Sequence, residues 1–188
     1  LLSFCNNTSP MFIISYIVMQ TFKDKELLLV TLLILFLSPI VCSFVFRKFY
    51  HISPKTDYAL QSQNNICFDF QMFDDAIMNG FETITKVGGY MILFSILFKF
   101  GEKLPTTFLL PLLEISNGIP LIMKMSLNFA VVYPFVLGLT SFGGLCAVAQ
   151  TNSMIQNTGL RILPYIIQKL ITALVTSLIA FLYICFVY

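Results

Sequence analysis

Glu114, Ser116 and Asn117 stand before one end of an apolar run, residues 119–139, and Ser141, Gly143, Gly144 and Gln150 follow its other end. At ~1.5 Å per residue the run is about long enough to cross a bilayer. Carboxylate, carboxamides, hydroxyls and helix-breaking glycines at such depth survive only where they face protein or a water-lined cavity. The chemistry on offer is recognition rather than bond making. Backbone N–H groups after Gly143-Gly144 can hold a carboxylate, since glycine lets a ligand approach a bare helix N-terminus. Gln150 and Ser153 can add hydrogen bonds. Lys124, the ammonium inside the run, either supplies a counter-charge or snorkels to the interface. Glu114 has two readings: a carboxyl that carries a proton, oriented by Ser116 or Asn117, or a structural acid bonded to the N–H groups of a broken helix. Gln150 also has two, ligand contact or interhelical hydrogen bond.

Of the 188 residues, 57% are hydrophobic and 11% charged. A soluble domain carries about a quarter charged residues, so the composition calls for an all-α integral membrane protein. Net charge is +2 with no basic cluster, which argues against nucleic acid. The five cysteines, Cys5, Cys42, Cys67, Cys146 and Cys185, are scattered and form no CxxC. Neither a disulfide framework, a metal site nor a cofactor is indicated. His51 is the single histidine and falls in a polar loop, so no catalytic residue is assigned.

The elements that must position these groups follow in order. After the polar interruption Asn6-Asn7-Thr8-Ser9-Pro10, residues 11–22 suit a half-helix. Residues 27–46 form a clear span ended by Arg47-Lys48, where Pro39 predicts a kink and Ser38 is placed to help satisfy the freed carbonyl. An aqueous loop covers 47–73. From Asp74-Asp75 a helix begins with Asp75, Asn79, Glu82 and Lys86 on one face. That stripe predicts an amphipathic interfacial helix with a Glu82–Lys86 pair, or else a direct role for either residue in a pathway. Gly88-Gly89 predicts close helix contact or a bend. Residues 104–115 are a short apolar piece that would align Thr107, Pro111, Glu114 and Gly118 on one helical face. Residues 145–157 read as a re-entrant half-helix, and 163–188 as a last span with Gln168 and Lys169 placed to snorkel. The Lys/Arg distribution does not choose an orientation.

Four blocks in this order, Leu2-Ser3-Phe4-Cys5-Asn6-Asn7-Thr8-Ser9-Pro10-Met11-Phe12-Ile13, Gly88-Gly89-Tyr90-Met91-Ile92-Leu93-Phe94-Ser95, Leu113-Glu114-Ile115-Ser116-Asn117-Gly118 and Ser141-Phe142-Gly143-Gly144 with Gln150, are similar to a known family. They resemble the sporulation integral membrane proteins with paired nucleoside-recognition, or gate, domains, which are related to concentrative nucleoside transporters. The resemblance implies an inverted-repeat transporter fold with broken half-helices, of which this chain, starting at Leu1 in the middle of a motif, reads as the C-terminal part. A Ser-Gly-Tyr-Pro block that precedes the first block in the family is missing. Residues 1–46 then form the tail of a first gate repeat, 47–73 a loop, and 74–188 the second repeat. Asn7-x-x-Pro10 and Asn117-x-x-Pro120, each before an apolar run, agree with duplication.

The implied function is movement of dipicolinate, a rigid planar dianion, across the outer forespore membrane. Nucleoside transport is the alternative. A non-transporting scaffold for spore maturation is another class, distinguished by the absence of substrate-dependent flux. An intramembrane enzyme would want clustered Arg, Ser and His or metal ligands, whereas Arg161 is isolated. Candidate substrate-binding residues are Asn6, Asn7, Ser9, Glu114, Ser116, Asn117, Ser141, Gly143, Gly144 and Gln150. The expected partners are a small-molecule substrate and the lipid bilayer, with proton or sodium coupling and oligomerisation left open.

Overall fold

The computed structural model describes residues 2–50, 69–103, 107–156 and 159–187. Most of the expected loop, with His51 and Cys67, lies outside the described residues, as do Pro105 and Asn157. Among the described residues every regular element is a helix. Four stretches are long and apolar enough to cross a membrane: Leu27–Lys48, Phe70–Gly101, Phe129–Ile155 and Ile162–Phe186. The chain is an all-α protein of multi-pass membrane character.

The chain opens with α1 (Leu2–Cys5), unwinds over residues 6–9, and re-forms as a π-helix, Phe12–Phe22. Its wider winding shows at the end, where Lys23 N donates to Val18 O at 2.8 Å. Then α2 (Leu27–Tyr50) carries Pro39 inside it. Ser38 donates to Ile34 O at 2.6 Å, one residue short of Leu35, whose carbonyl the proline leaves without its helical N–H. The serine therefore spends its hydroxyl on its own turn.

Packing centres on α5 (Phe129–Phe142) and α7 (Ile162–Phe186). Tyr133 lies toward Tyr183, Gly138 beside Ala173 and Ser177, and Ser141 beside Lys169, so the two run antiparallel. A Cβ at Gly138 would sit 3.2 Å from Ala173 O, which is why glycine occupies the crossing. Ile13, Ile17, Leu27, Ile119, Ile122 and Leu137 bury themselves around Tyr133, whose hydroxyl meets Thr31 Oγ1 at 3.0 Å. Among the described residues no buried side-chain nitrogen or oxygen lacks a hydrogen-bond partner, as an apolar surrounding demands.

Three expectations change. Residues 119–139 are not one crossing. Helix α4 (Ile115–Lys124) stops, and α5 starts after Asn128, whose side chain accepts from Ala130 N at 3.2 Å. That carboxamide gives the backbone an alternative to continuous helix. Lys124 ends up exposed in the last turn of α4, where a cation complements the helix C-terminus.

The shared face of Thr107, Pro111, Glu114 and Gly118 is absent too. A 3₁₀ turn (Thr107–Leu112) gives way to extended backbone at Glu114. Helix α3 (Phe70–Gly101), finally, is one uninterrupted helix. It carries the expected Glu82–Lys86 pair at 2.5 Å, both exposed. Asp69 caps it, accepting from Gln71 N at 3.3 Å. A Cβ at Gly88 or Gly89 would meet nothing within 4 Å, so the glycine pair seats no close neighbour among the described residues.

Gly118 shows the opposite case: a Cβ there would stand 2.6 Å from Pro111 Cα and 2.8 Å from Pro111 O. Gly118→Ala must push α4 off the 3₁₀ turn at a cost of about 1–3 kcal/mol, whereas Gly88→Ala should be neutral or gain roughly 0.5–1 kcal/mol of helix propensity. Thermal stability of the two variants in detergent checks this. Equal melting would mean that the Pro111–Gly118 contact is loose.

Candidate functional site

Three interruptions of helix converge on one cavity. The first is the non-helical stretch Asn6-Asn7-Thr8-Ser9, bounded by α1 and by Pro10, whose ring suits a helix start. Its side chains tie it to distant elements. Asn6 Nδ2 donates to Thr151 Oγ1 at 3.0 Å and Tyr165 Oη at 2.9 Å, and Thr8 Oγ1 donates to Thr140 O at 3.0 Å. Asn7 Nδ2 closes back on Phe4 O at 2.7 Å, and Ser9 Oγ accepts from Phe12 N at 3.2 Å.

The second interruption is Glu114, extended and buried just before α4. Its Oε1 accepts from Ser116 N at 2.9 Å and Ser116 Oγ at 2.7 Å. Oε2 accepts from Asn117 N and Asn117 Nδ2, each at 2.9 Å. Two orphan N–H groups of the helix are thereby satisfied by a charged cap. Asn117 also reaches Ser95 Oγ of α3 at 3.0 Å, and Tyr16 of the π-helix donates to Ser116 O at 2.6 Å. Of the two readings of Glu114, this geometry is that of the structural acid.

The third is the junction of α5 with α6 (Gly144–Ile155), where Gly143 (φ 86°) and Gly144 (φ 78°) are both left-handed. A Cβ at Gly144 would lie 3.3 Å from both Leu112 O and Leu113 O, so only glycine tolerates the turn and the crowding together. Leu113 O accepts from Cys146 N at 2.9 Å. One N–H of the α6 N-terminus is thus given to the second interruption instead of to open space.

The cavity has a volume of about 440 Å³, and among its walls are Asn6, Asn7, Ser9, Glu114, Ser116, Ser141, Gly143 and Gln150. Two sequence candidates stand behind the wall: Asn117, which holds Glu114, and Gly144, which packs on Leu112 and Leu113. Gln150 Nε2 donates to Val87 O at a long 3.4 Å and to Cys146 Sγ, a weak acceptor, at 3.3 Å. Ser153 turns away, donating to Gln150 O at 2.8 Å.

Lys169 is the residue that sequence reasoning misplaced. It does not snorkel. Buried in α7, its ammonium lines the cavity and donates to Asn6 O at 2.5 Å, Asn7 Oδ1 at 3.3 Å and Ser141 O at 3.4 Å. Burying an ammonium costs several kcal/mol unless such acceptors surround it. Tyr165, Lys169, Thr172 and Thr176 fall at i, i+4, i+7, i+11 and are all buried, so the polar stripe along an otherwise apolar helix was the available signal. Gln168, its neighbour, accepts from Ser3 Oγ at 2.5 Å.

Chemically the cavity offers hydroxyls, carboxamides, backbone carbonyls and one ammonium, with Glu114 already occupied. Among the described residues no cluster of His, Cys, Asp and Glu could hold a metal ion. Searches of protein-family models, curated proteins and solved structures found no match to this chain.

Glu114→Gln replaces two carboxylate acceptors with one carbonyl and an amide that faces N–H donors. It should destabilise the fold by about 1–3 kcal/mol, read as a lower melting temperature in detergent; an unchanged value would mean that the cap is not in use. Gly144→Ala, strained at positive φ by on the order of 1–3 kcal/mol, should lower the melting temperature clearly. Leu145→Ala, at a side chain 43% exposed, should do so much less, and equal losses would count against the crowding at Gly144.

Proposed function

We propose that the chain is part of a membrane transporter in which the cavity between the unwound stretches binds a small anionic or heterocyclic solute. Dipicolinate, moved across the outer forespore membrane during sporulation, is the leading candidate. The observation that carries this reading is the convergence of interrupted helices on one polar cavity inside an apolar chain. Secondary transporters place substrate where broken helices expose backbone groups near the bilayer midplane. A volume of about 440 Å³ suits one small molecule.

The four-block resemblance supports the same assignment, and with it the division into the tail of a first gate repeat, residues 1–46, and a second repeat, residues 74–188. Lys169 supplies positive charge facing the solute, and Gln150, whose amide is held by one long bond to a carbonyl and one to a weakly accepting thiol, supplies hydrogen bonding that can turn to it. A nucleoside is the second reading. The carboxamides and hydroxyls of the wall suit its uncharged hydroxyl and base edges as well.

Equilibrium binding of labelled dipicolinate and of uridine to the chain in nanodiscs tests both. Gln150→Ala should weaken the preferred ligand about tenfold, the effect of one hydrogen bond to a charged group. Ser153→Ala, whose hydroxyl is tied to its own helix, should leave affinity unchanged. Failure of both ligands to bind saturably would reject the transport reading in favour of a structural role in the membrane.

A further inference from the structure

The interior ammonium of Lys169 has an unusual set of neighbours. Its three acceptors are all uncharged oxygens, and they come from two different interruptions of helix. Asn6 O and Asn7 Oδ1 belong to the unwound stretch after α1. Ser141 O belongs to the last turn of α5, just before the left-handed Gly143, where carbonyls lack helical N–H partners. A helix C-terminus carries partial negative charge, and unwound carbonyls add to it. Thr140 O of the same turn takes the Thr8 hydroxyl instead, and the Ser141 hydroxyl accepts from Thr176 Oγ1 at 3.2 Å. Uncharged oxygens from an unwound segment and a helix C-terminus form the type of cage that binds a monovalent cation in membrane transporters.

We infer that Asn6 O, Asn7 Oδ1 and Ser141 O form a monovalent-cation site that the chain fills with its own Lys169 ammonium, so that solute movement through the cavity needs no external sodium. The first half of this statement concerns the fold alone; the second rests on the transport reading. The tethered ammonium cannot leave the site as a free ion does. It therefore holds the unwound Asn6–Asn7 stretch against α5 and α7 whatever the salt.

Removal of the ammonium tests the cage without any substrate. Wild type, Lys169→Ala and Lys169→Met are purified in detergent, and heat resistance is followed by size-exclusion chromatography in sodium chloride and in choline chloride of equal strength. Wild type should melt at the same temperature in both salts. Lys169→Ala should melt lower in choline and recover with sodium, by roughly 3 °C or more per tenfold rise above the dissociation constant. Lys169→Met, whose thioether fills the cage without charge, should be destabilised in both salts and ignore sodium.

A folded Lys169→Ala that does not respond to sodium overturns the inference, and so does a sodium response in wild type. Should Lys169→Ala not survive purification, Lys169→Ser, which brings one more oxygen to the cage, is prepared in sodium. If neither variant is recovered there, the cage does not accept a free cation and the inference fails. Because dipicolinate and uridine take no part, these outcomes are separate from failure of the transport reading.

Discussion

Backbone that leaves the helix inside an apolar bundle exposes N–H groups at one side of the break and carbonyls at the other. Apolar side chains and lipid can satisfy neither. The carboxylate of Glu114 answers the first need, taking two backbone N–H groups at the start of α4 together with the Ser116 hydroxyl and the Asn117 amide. The ammonium of Lys169 answers the second, taking the carbonyls of Asn6 and Ser141. Each charge is placed where the helix dipole favours it. The cavity exists because these two side chains make its broken walls affordable.

The rest of the fold brings the breaks together. Gly138 lets α5 and α7 approach closely, which carries Lys169 to the end of α5. Gly118 seats α4 against Pro111, and Gly144 seats the start of α6 beneath the Leu112 and Leu113 carbonyls. Tyr16 then ties the π-helix to Ser116. Small residues at contacts and hydroxyls across them are the usual means of joining helices where lipid gives no hydrophobic drive. Glycine serves packing at Gly118 and Gly138 but a left-handed turn at Gly143 and Gly144, whereas Gly88 and Gly89 in α3 serve neither.

These constraints divide the cavity's polar groups by how much freedom they keep. Asn6, Thr8, Ser116 and Asn117 are committed to bonds between elements. Gln150 is held by one long bond to a carbonyl and one bond to a thiol, a weak acceptor. Groups of the second kind are suited to exchange partners with a solute, because little is lost when they let go. Groups of the first kind keep the shape into which the solute must fit.

By itself the sequence determined the all-helical membrane class, because 57% hydrophobic residues in long runs leave no other way to satisfy the backbone. It also marked two of the breaks, Asn6 to Pro10 and Gly143-Gly144, although the same Gly-Gly pair at Gly88-Gly89 leaves its helix uninterrupted. The Glu82–Lys86 pair was legible because both residues lie on one helix, four apart. Tertiary structure decided what local pattern cannot carry. Whether Lys169 reaches water or turns inward depends on Asn6 and Ser141, 163 and 28 residues away. Whether Gly88-Gly89 receives a neighbour depends on where other helices lie. Spacing along one chain fixes which side chains share a face; only the fold sets what that face meets.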